Sequence, residues 1–433
     1  MVMLMPRITI GIAIALLNVV AALANTAEDF YTNGISYATN GDWKTAIVVY
    51  GKAIELKPDY AIVYYSRGLA KEHLGDTNGA MVDYDECIHL DPNLVKAHNI
   101  RGLLKRSKGD LDGALSDFDA CIQIDPNFFP AYYNRGLVRQ SRGDLDGALS
   151  DVTKAIDVST NIAALSEAAK VIDVSTNISE MYLKRSNLRR EKGNLNGSMS
   201  DCNNAIEINP DYSQAYEVRG NLRALMHRFD DAIIDYSEAI RLNPNDEINY
   251  RNRSIAEYYR GDLDSALADD NKAIQLDPKL AGLYVIRGDV RQSKRDDTDA
   301  MNDFNKAIEL KPKLADAYVG RGNVKRDEGD LEGAILDCTK AIEINPKDSD
   351  AYFGRGFFKF EKGDPDGAMI DYNRAIEIEP GKALAYRERG VLKKKMGDAN
   401  GASGDFKRAF ELDPNVMKQF KANENSQGGS ITN

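Results

Sequence analysis

The chain has 433 residues, 28% of them charged, with 67 Asp and Glu against 56 Lys and Arg for a net charge of −11. That balance, without a long basic run, excludes the phosphate-binding face that nucleic acids and anionic membranes require. A length-based expectation of roughly three domains of about 150 residues fails, because the chain repeats itself.

Residues 1–24 read as a targeting segment. Arg7 closes a short n-region, Ile8 to Val20 are apolar, and Ala22-Leu23-Ala24 forms an A-x-A cleavage site. The expectation is a cleaved signal on an exported chain, periplasmic or secreted. The alternatives are an uncleaved N-terminal membrane anchor and a buried helix. No Cys lies near the site, so a bacterial lipoprotein anchor is excluded.

From Ala27 onward the prolines set a period. Pro58, Pro92 and Pro126 are followed by Pro210, Pro244, Pro278, Pro312, Pro346, Pro380 and Pro414, spaced by 34 residues except across 126–210. Each unit reads approximately A-Y-x-x-R-G-x6-G-D-x-x-G-A-x-x-D-x3-A-I-x3-P. Eleven units start at Ala27, Ala61, Val95, Phe129, Ser179, Ser213, Glu247, Ala281, Ala315, Ser349 and Ala383. This pattern resembles the tetratricopeptide repeat, whose units are helix–turn–helix pairs. The resemblance implies an all-α, right-handed superhelical solenoid in which the first helices line a concave groove. Such a groove suits extended peptide segments.

The columns have physical reasons of their own. An aromatic such as Tyr64 or Tyr284 opens each first helix, with His98 the exception, and Gly or Ser stands four residues later. A glycine inside a helix costs about 1 kcal/mol relative to Ala, so a close helix approach must offset it. The expected neighbour is the alanine column Ala46, Ala80, Ala114 and Ala148. Gly-Asp pairs such as Gly109-Asp110 combine a left-handed C-cap with the next helix's N-cap. The recurrent D-L-D-G is read as this cap rather than a calcium loop, since no third acidic ligand or distal Glu follows in loop spacing.

An Arg precedes the Gly or Ser in ten units, and an Asp follows sixteen residues later, as in Arg101 with Asp117 and Arg321 with Asp337. The first unit lacks both, having Asn33 and Val49. Joint loss predicts that each pair closes inside its own repeat as a structural clamp; the alternative is a catalytic or ligand-binding ladder. Cys87 and Cys121 fall in an alanine column, Cys202 and Cys338 in a Tyr/Phe column, so free buried thiols are expected rather than disulfides.

Two first helices carry unusual apolar faces. Ile248, Arg251, Ile255, Tyr258 and Tyr259 follow helical spacing in the seventh unit, and Phe353, Phe357 and Phe360 form a stripe in the tenth. Ile255, Tyr258, Tyr259, Phe353, Phe357 and Phe360 are the candidate partner-binding residues. The bland alternative is that they fill gaps between helices. Corresponding faces elsewhere are polar, as in Asp289, Gln292, Ser293, Asn323, Arg326 and Asp327. The Lys-then-Asn spacing by which chaperone-binding members of the family grip a C-terminal carboxylate is absent: Asn187 follows Leu183, Asn221 follows Glu217 and Asn323 follows Val319.

Catalysis has no foothold. His73, His89, His98 and His227 are scattered, and no phosphate loop, H-E-x-x-H or G-x-S-x-G occurs. No cofactor or metal is expected. The leading reading is a non-enzymatic scaffold for protein or peptide partners. Self-assembly into homo-oligomers is the alternative, and a repeat-bearing enzyme comes third.

One phrase is copied. GALSDVTKAIDVST at 147–160 returns as AALSEAAKVIDVST at 163–176, offset by sixteen residues. The expectation is an extra helix near 161–176, with a break at Ser159-Thr160-Asn161, since Ser, Thr and Asn favour caps. An added helix changes the parity of the stack, so a junction at 161–178 would separate four repeats (27–160) from seven (179–416). Residues 417–433 then read as a short cap and a disordered tail.

Overall fold

A helix pair cannot bury its own apolar stripe, so each repeat must be covered by the next, and the period dictates a stack. The computed structural model describes residues 26–165 and 172–416. The targeting segment at 1–24, the middle of the copied phrase and the cap and tail at 417–433 lie outside the described residues. The described residues are all-helical and divide into two compact units, one ending at Tyr212 and one starting at Ser213. The first holds α1 (Ala27–Thr39), α2 (Trp43–Leu56), α3 (Ala61–His73), α4 (Thr77–Leu90), α5 (Val95–Ser107), α6 (Leu111–Ile124), α7 (Phe129–Ser141), α8 (Leu145–Leu165), α9 (Ile172–Glu191) and α10 (Leu195–Ile208). The second holds α11 (Ser213–Leu225), α12 (Phe229–Leu242), α13 (Glu247–Arg260), α14 (Leu263–Leu276), α15 (Ala281–Ser293) and α16 (Asp297–Leu310). It continues with α17 (Ala315–Asp327), α18 (Leu331–Ile344), α19 (Ser349–Lys362), α20 (Pro365–Ile378), α21 (Ala383–Lys395) and α22 (Ala399–Leu412). No helix among the described residues is long and apolar enough to cross a membrane.

Each odd-numbered helix packs chiefly on the even-numbered helix that follows it. Gly109 ends α5 with φ of 81° and Asp110 caps α6, its carboxylate accepting from Gly113 N at 2.9 Å. The opening aromatic ties the repeat to the loop before it: Tyr284 Oη donates to Pro278 O at 3.1 Å. His98 does the same work through Nε2, 2.9 Å from Pro92 O, which explains how an imidazole stands in this column.

The glycine column has, in most repeats, a different partner from the one expected. A Cβ at Gly68 would lie 2.6 Å from the Tyr84 ring, and one at Gly102 would lie 2.8 Å from Phe118. Where an aromatic stands four residues beyond the alanine column, the close approach is therefore to that ring. At Gly136 and Gly322, faced by Val152 and Cys338 instead, the alanine-column carbonyls of Ala148 and Ala334 lie 3.3 Å from such a Cβ, as expected. Where serine replaces glycine, the aromatic is gone too. Ser186 Oγ lies 3.1 Å from Cys202 Sγ, and Ser254 Oγ donates to Asp270 Oδ1 at 2.6 Å.

Arginine and aspartate close within each repeat. Arg101 donates to Asp117 through Nε and Nη2 at 3.0 and 2.6 Å, and Arg321 to Asp337 at 2.9 and 2.6 Å. Bidentate geometry is the form in which this pair is strongest. The clamp is richer than a pair. A second cation, Lys105 or Lys325, reaches the same carboxylate at 2.9 or 2.7 Å. The third guanidinium nitrogen of Arg101 crosses to the preceding repeat, donating to Asp85 Oδ1 at 2.8 Å. Burial pushes Asp117 up, but His98, Arg101 and Lys105 together hold it well below the usual carboxylate range. All four cysteines are free and buried, and burial pushes the Cys87 thiol up to about 11.

The copied phrase does not form the separate helix that was expected. Helix α8 runs unbroken through Ser159 and Thr160. Their hydroxyls bond back to Ile156 O at 2.9 and 2.8 Å, an arrangement that keeps Ser and Thr inside a helix instead of ending it. The copy is shared between neighbours: 161–165 belong to α8 and 172–176 to α9. Helices α8 and α9 are 21 and 20 residues long, against 14 and 13 for α6 and α7. The alternation of first and second helices continues through the insertion, so parity is preserved. The division between compact units falls one repeat later, between Tyr212 and Ser213.

Candidate partner groove in the second unit

In the second unit, the first helices α11, α13, α15, α17 and α19 each touch their counterpart in the next repeat. No second helix packs as closely on another second helix. A stack tighter along one row of helices curves toward that row, so the first helices form the inner wall.

Two cavities run along this wall. One, of about 740 Å³, is lined by Ile255, Tyr258 and Tyr259 from α13 together with Asp289, Asn323 and Arg326. The other, of about 520 Å³, is lined by Phe353 and Phe357 from α19 and shares Asp289, Asn323 and Arg326. The polar faces of α15 and α17, which the sequence set in contrast to the aromatic ones, thus lie between them and join them. The result is one groove, apolar at both ends and polar in the middle.

The six candidate residues are not equivalent. Tyr258 Oη lies 3.1 Å from Ser293 Oγ on the groove wall. Tyr259 is 65% exposed, with its ring stacked on Phe229 at 5.3 Å. Ile255 is half-buried and lines the same cavity. Phe353 and Phe357 face the cavity but also pack on the core: Phe353 lies 6.0 Å from the Tyr372 ring, and Phe357 lies 6.3 Å from Phe358. Phe360 lines neither cavity; it packs on the Tyr372 and Leu392 cluster and is covered by Lys395 Nζ, 4.5 Å from the ring. Gap filling and groove lining are therefore both true of the phenylalanine stripe.

The residues missed from sequence are the ones between. Asp289, Asp316, Asn323, Arg326 and Arg387 line the groove beside the aromatics. Gly320 and Gly354 line it too; a Cβ at Gly320 would run into the Phe304 ring and one at Gly354 would lie 3.3 Å from Cys338 Sγ, so both admit core side chains behind the wall. Both stand outside the shared glycine column, in successive repeats, a signal that was present in the sequence. Asp289 keeps an exposed edge, yet the groove walls around it, and then the neighbouring Asp316 charge, raise its carboxyl above the usual carboxylate range. Among the described residues no three His, Cys, Asp or Glu side chains converge as a metal site would require.

Comparison with known families agrees with this architecture. A model described as TPR repeat matches residues 34–75, and models described as tetratricopeptide repeat match 61–94, 95–128, 281–314, 315–348 and 338–369. No curated protein matches the chain by sequence. Among solved structures, the chain is similar to the APC/C hetero-tetramer Cut9–Hcn1, at 14% identity over 93% of this chain and 91% of that one, with a TM-score of 0.48. It is also similar to a tetratricopeptide repeat protein from Parabacteroides merdae, at 23% identity over 61% of this chain and 98% of that one, TM-score 0.45. A third is YrrB, described as a TPR protein with an unusual peptide-binding site, at 26% identity over 44% and 97%, TM-score 0.31. The repeat chemistry and the family matches give one conclusion: the chain carries tetratricopeptide repeats, matched over 34–128 and 281–369, a fold that serves in general as a scaffold for protein–protein interaction.

Proposed function

We propose that the chain is a non-enzymatic scaffold that holds a protein partner's extended segment in the groove of the second unit. The carrying observation is the continuity of the two cavities through Asp289, Asn323 and Arg326, which sets aromatic faces at both ends of one polar channel. Rigid helices presenting exposed aromatics around polar groups are what a peptide site needs: apolar anchors supply affinity, and polar groups set register. Among the described residues no cluster of nucleophile, base and orienting group lines either cavity.

A photoreactive residue placed at Tyr258, against one at the outward-facing Ile370 (67% exposed), tests this in the native compartment. A distinct partner should be captured from Tyr258 and not from Ile370. The same adducts from both positions would sink the groove reading. Adducts of the chain with itself from Ile370 would favour self-assembly through the convex face.

A further inference from the structure

Three carboxylates face the phenylalanine end of the groove without a cation. Asp289 on α15 and Asp316 in the first turn of α17 are exposed and make no hydrogen bond or ion pair among the described residues. Asp348 caps α19, accepting from Ala351 N at 3.0 Å, and likewise has no ion pair. The three are electrostatically coupled in chain order, Asp316 acting on both Asp289 and Asp348.

The arginines of this cavity already hold ion pairs, although the buried Nε of Arg326 has no hydrogen-bond partner. Arg326 pairs with Asp327 at 2.8 Å and lies over the Phe357 ring at 5.6 Å, and Arg387 pairs with Glu388 at 2.5 Å. Asp350, in the same cavity, shows what such a carboxylate does when a cation is within reach: Lys382 Nζ lies 2.6 Å away. The three free acids are not gathered as a metal site would be. They are strung over successive helices, so what matches them is positive charge carried along an extended chain. Of the groove's arginines, Arg295 has no ion pair among the described residues, and it lines only the tyrosine cavity.

We infer, resting on the groove reading above, that the occupant is a basic, apolar-interleaved segment of a partner protein. Its Lys or Arg side chains lie against Asp289, Asp316 and Asp348, and its apolar side chains lie on Phe353 and Phe357. In an extended segment alternate residues point to opposite sides, so the two sets reach the acids and the rings from one backbone. Like charges fixed together in a concave wall repel one another, and a cationic partner relieves that repulsion, which gives specificity as well as affinity.

The test is fluorescence anisotropy of the full chain with three short labelled peptides: alternating Lys and Leu, alternating Glu and Leu, and alternating Lys and Ser. The Lys–Leu peptide should bind, and the other two should bind far more weakly. Asp289→Asn with Asp316→Asn should weaken Lys–Leu binding about tenfold without changing helicity. Glu207→Gln with Asp366→Asn, an equal charge change at exposed second-helix residues that hold no ion pair among the described residues, should not. If that control loses as much affinity, the attraction is only to net negative charge and the inference is overturned. If Glu–Leu binds as well as Lys–Leu, or no peptide binds while Tyr258 still captures a partner, the cationic inference falls and the groove reading stands. Failure of Tyr258 to capture a partner removes the groove reading itself. Self-association abolished by Asp289→Asn with Asp316→Asn would make a second copy the occupant and overturn the inference.

Discussion

At the scale of single residues, the repeated ion cluster sets what can be changed. The Asp337 side chain is 7% exposed and is held by both Arg321 and Lys325. Asp337→Ala would strand two cations in a half-buried site and is expected to cost about 3–5 kcal/mol. Replacing Arg321, Lys325 and Asp337 together with Met, Met and Leu should cost far less, because no charge is then left without a partner. Native-state hydrogen exchange of α17 and α18 measures both, and equal losses would show that packing rather than charge sets the cost. The bidentate part of this cluster was legible because Arg and Asp recur sixteen residues apart and vanish together from the first unit. The rest was not, because its residue types drift. The second cation alternates between Lys and Arg, and the cross-repeat acceptor is Asp85 for Arg101 but Asn305 for Arg321 and Thr339 for Arg355. The aromatic partner of the glycine column could have been found, since Ser254 and Asp270 depart from the pattern in the same repeat.

At the scale of elements, the pair α13 and α14 breaks the rules its neighbours keep, and it borders the groove. Glu257 stands where other repeats place the second cation, and Asp270 stands where they place the aromatic. Both are buried, and each has one carboxyl oxygen with no partner. Burial, and then the adjacent Asp269 charge, push Glu257 up to about 7; burial likewise pushes Asp270 up to about 7, against the bond from Ser254. Ordinary values are 4.5 and 3.8, so between those values and about 7 the folded protein holds protons that the unfolded chain has lost. The folded state is therefore favoured at low pH, and stability should fall as pH rises through that window and level off above it. Glu257→Lys supplies Asp269 with its missing cation. It should slow exchange in α13 and α14 at neutral pH and flatten the slope, and an unchanged slope would show that Glu257 is not its source. The aromatic faces of α13 and α19 were readable from helical spacing. The acids between them were not, because Asp289 and Asp316 look like ordinary solvated polar residues until curvature turns them inward.

At the scale of the whole molecule, the question is what a sixteen-residue copy does to an array with a 34-residue period. The expected break and added helix rested on the capping preference of Ser159, Thr160 and Asn161, which is a local preference. In the fold the Ser159 and Thr160 hydroxyls have the Ile156 carbonyl within reach, and helix continuity wins. The outcome is two neighbouring helices, each seven residues longer than its regular counterpart, 21 against 14 and 20 against 13. Seven residues are about two helical turns, so each helix keeps the same face toward its neighbours along its regular part. That is why an insertion of this length leaves the alternation of helices intact. Removing residues 161–176 would join Thr160 to Asn177 and bring the unit starts at Phe129 and Ser179 from 50 residues apart to 34. The regular parts of α8 and α9 already carry most of the packing core, since Val152, Ala155, Ile156, Met181 and Leu188 are all buried, and the deletion also retains the buried Ile178. The deletion variant should therefore fold, lose helical signal only in proportion to the residues removed, and leave exchange in the second unit unchanged. Thermal melts and hydrogen exchange check both points. A variant that fails to fold, or whose second unit opens more readily, would show that the two extra turns are structural supports and not a tolerated lengthening of one hairpin.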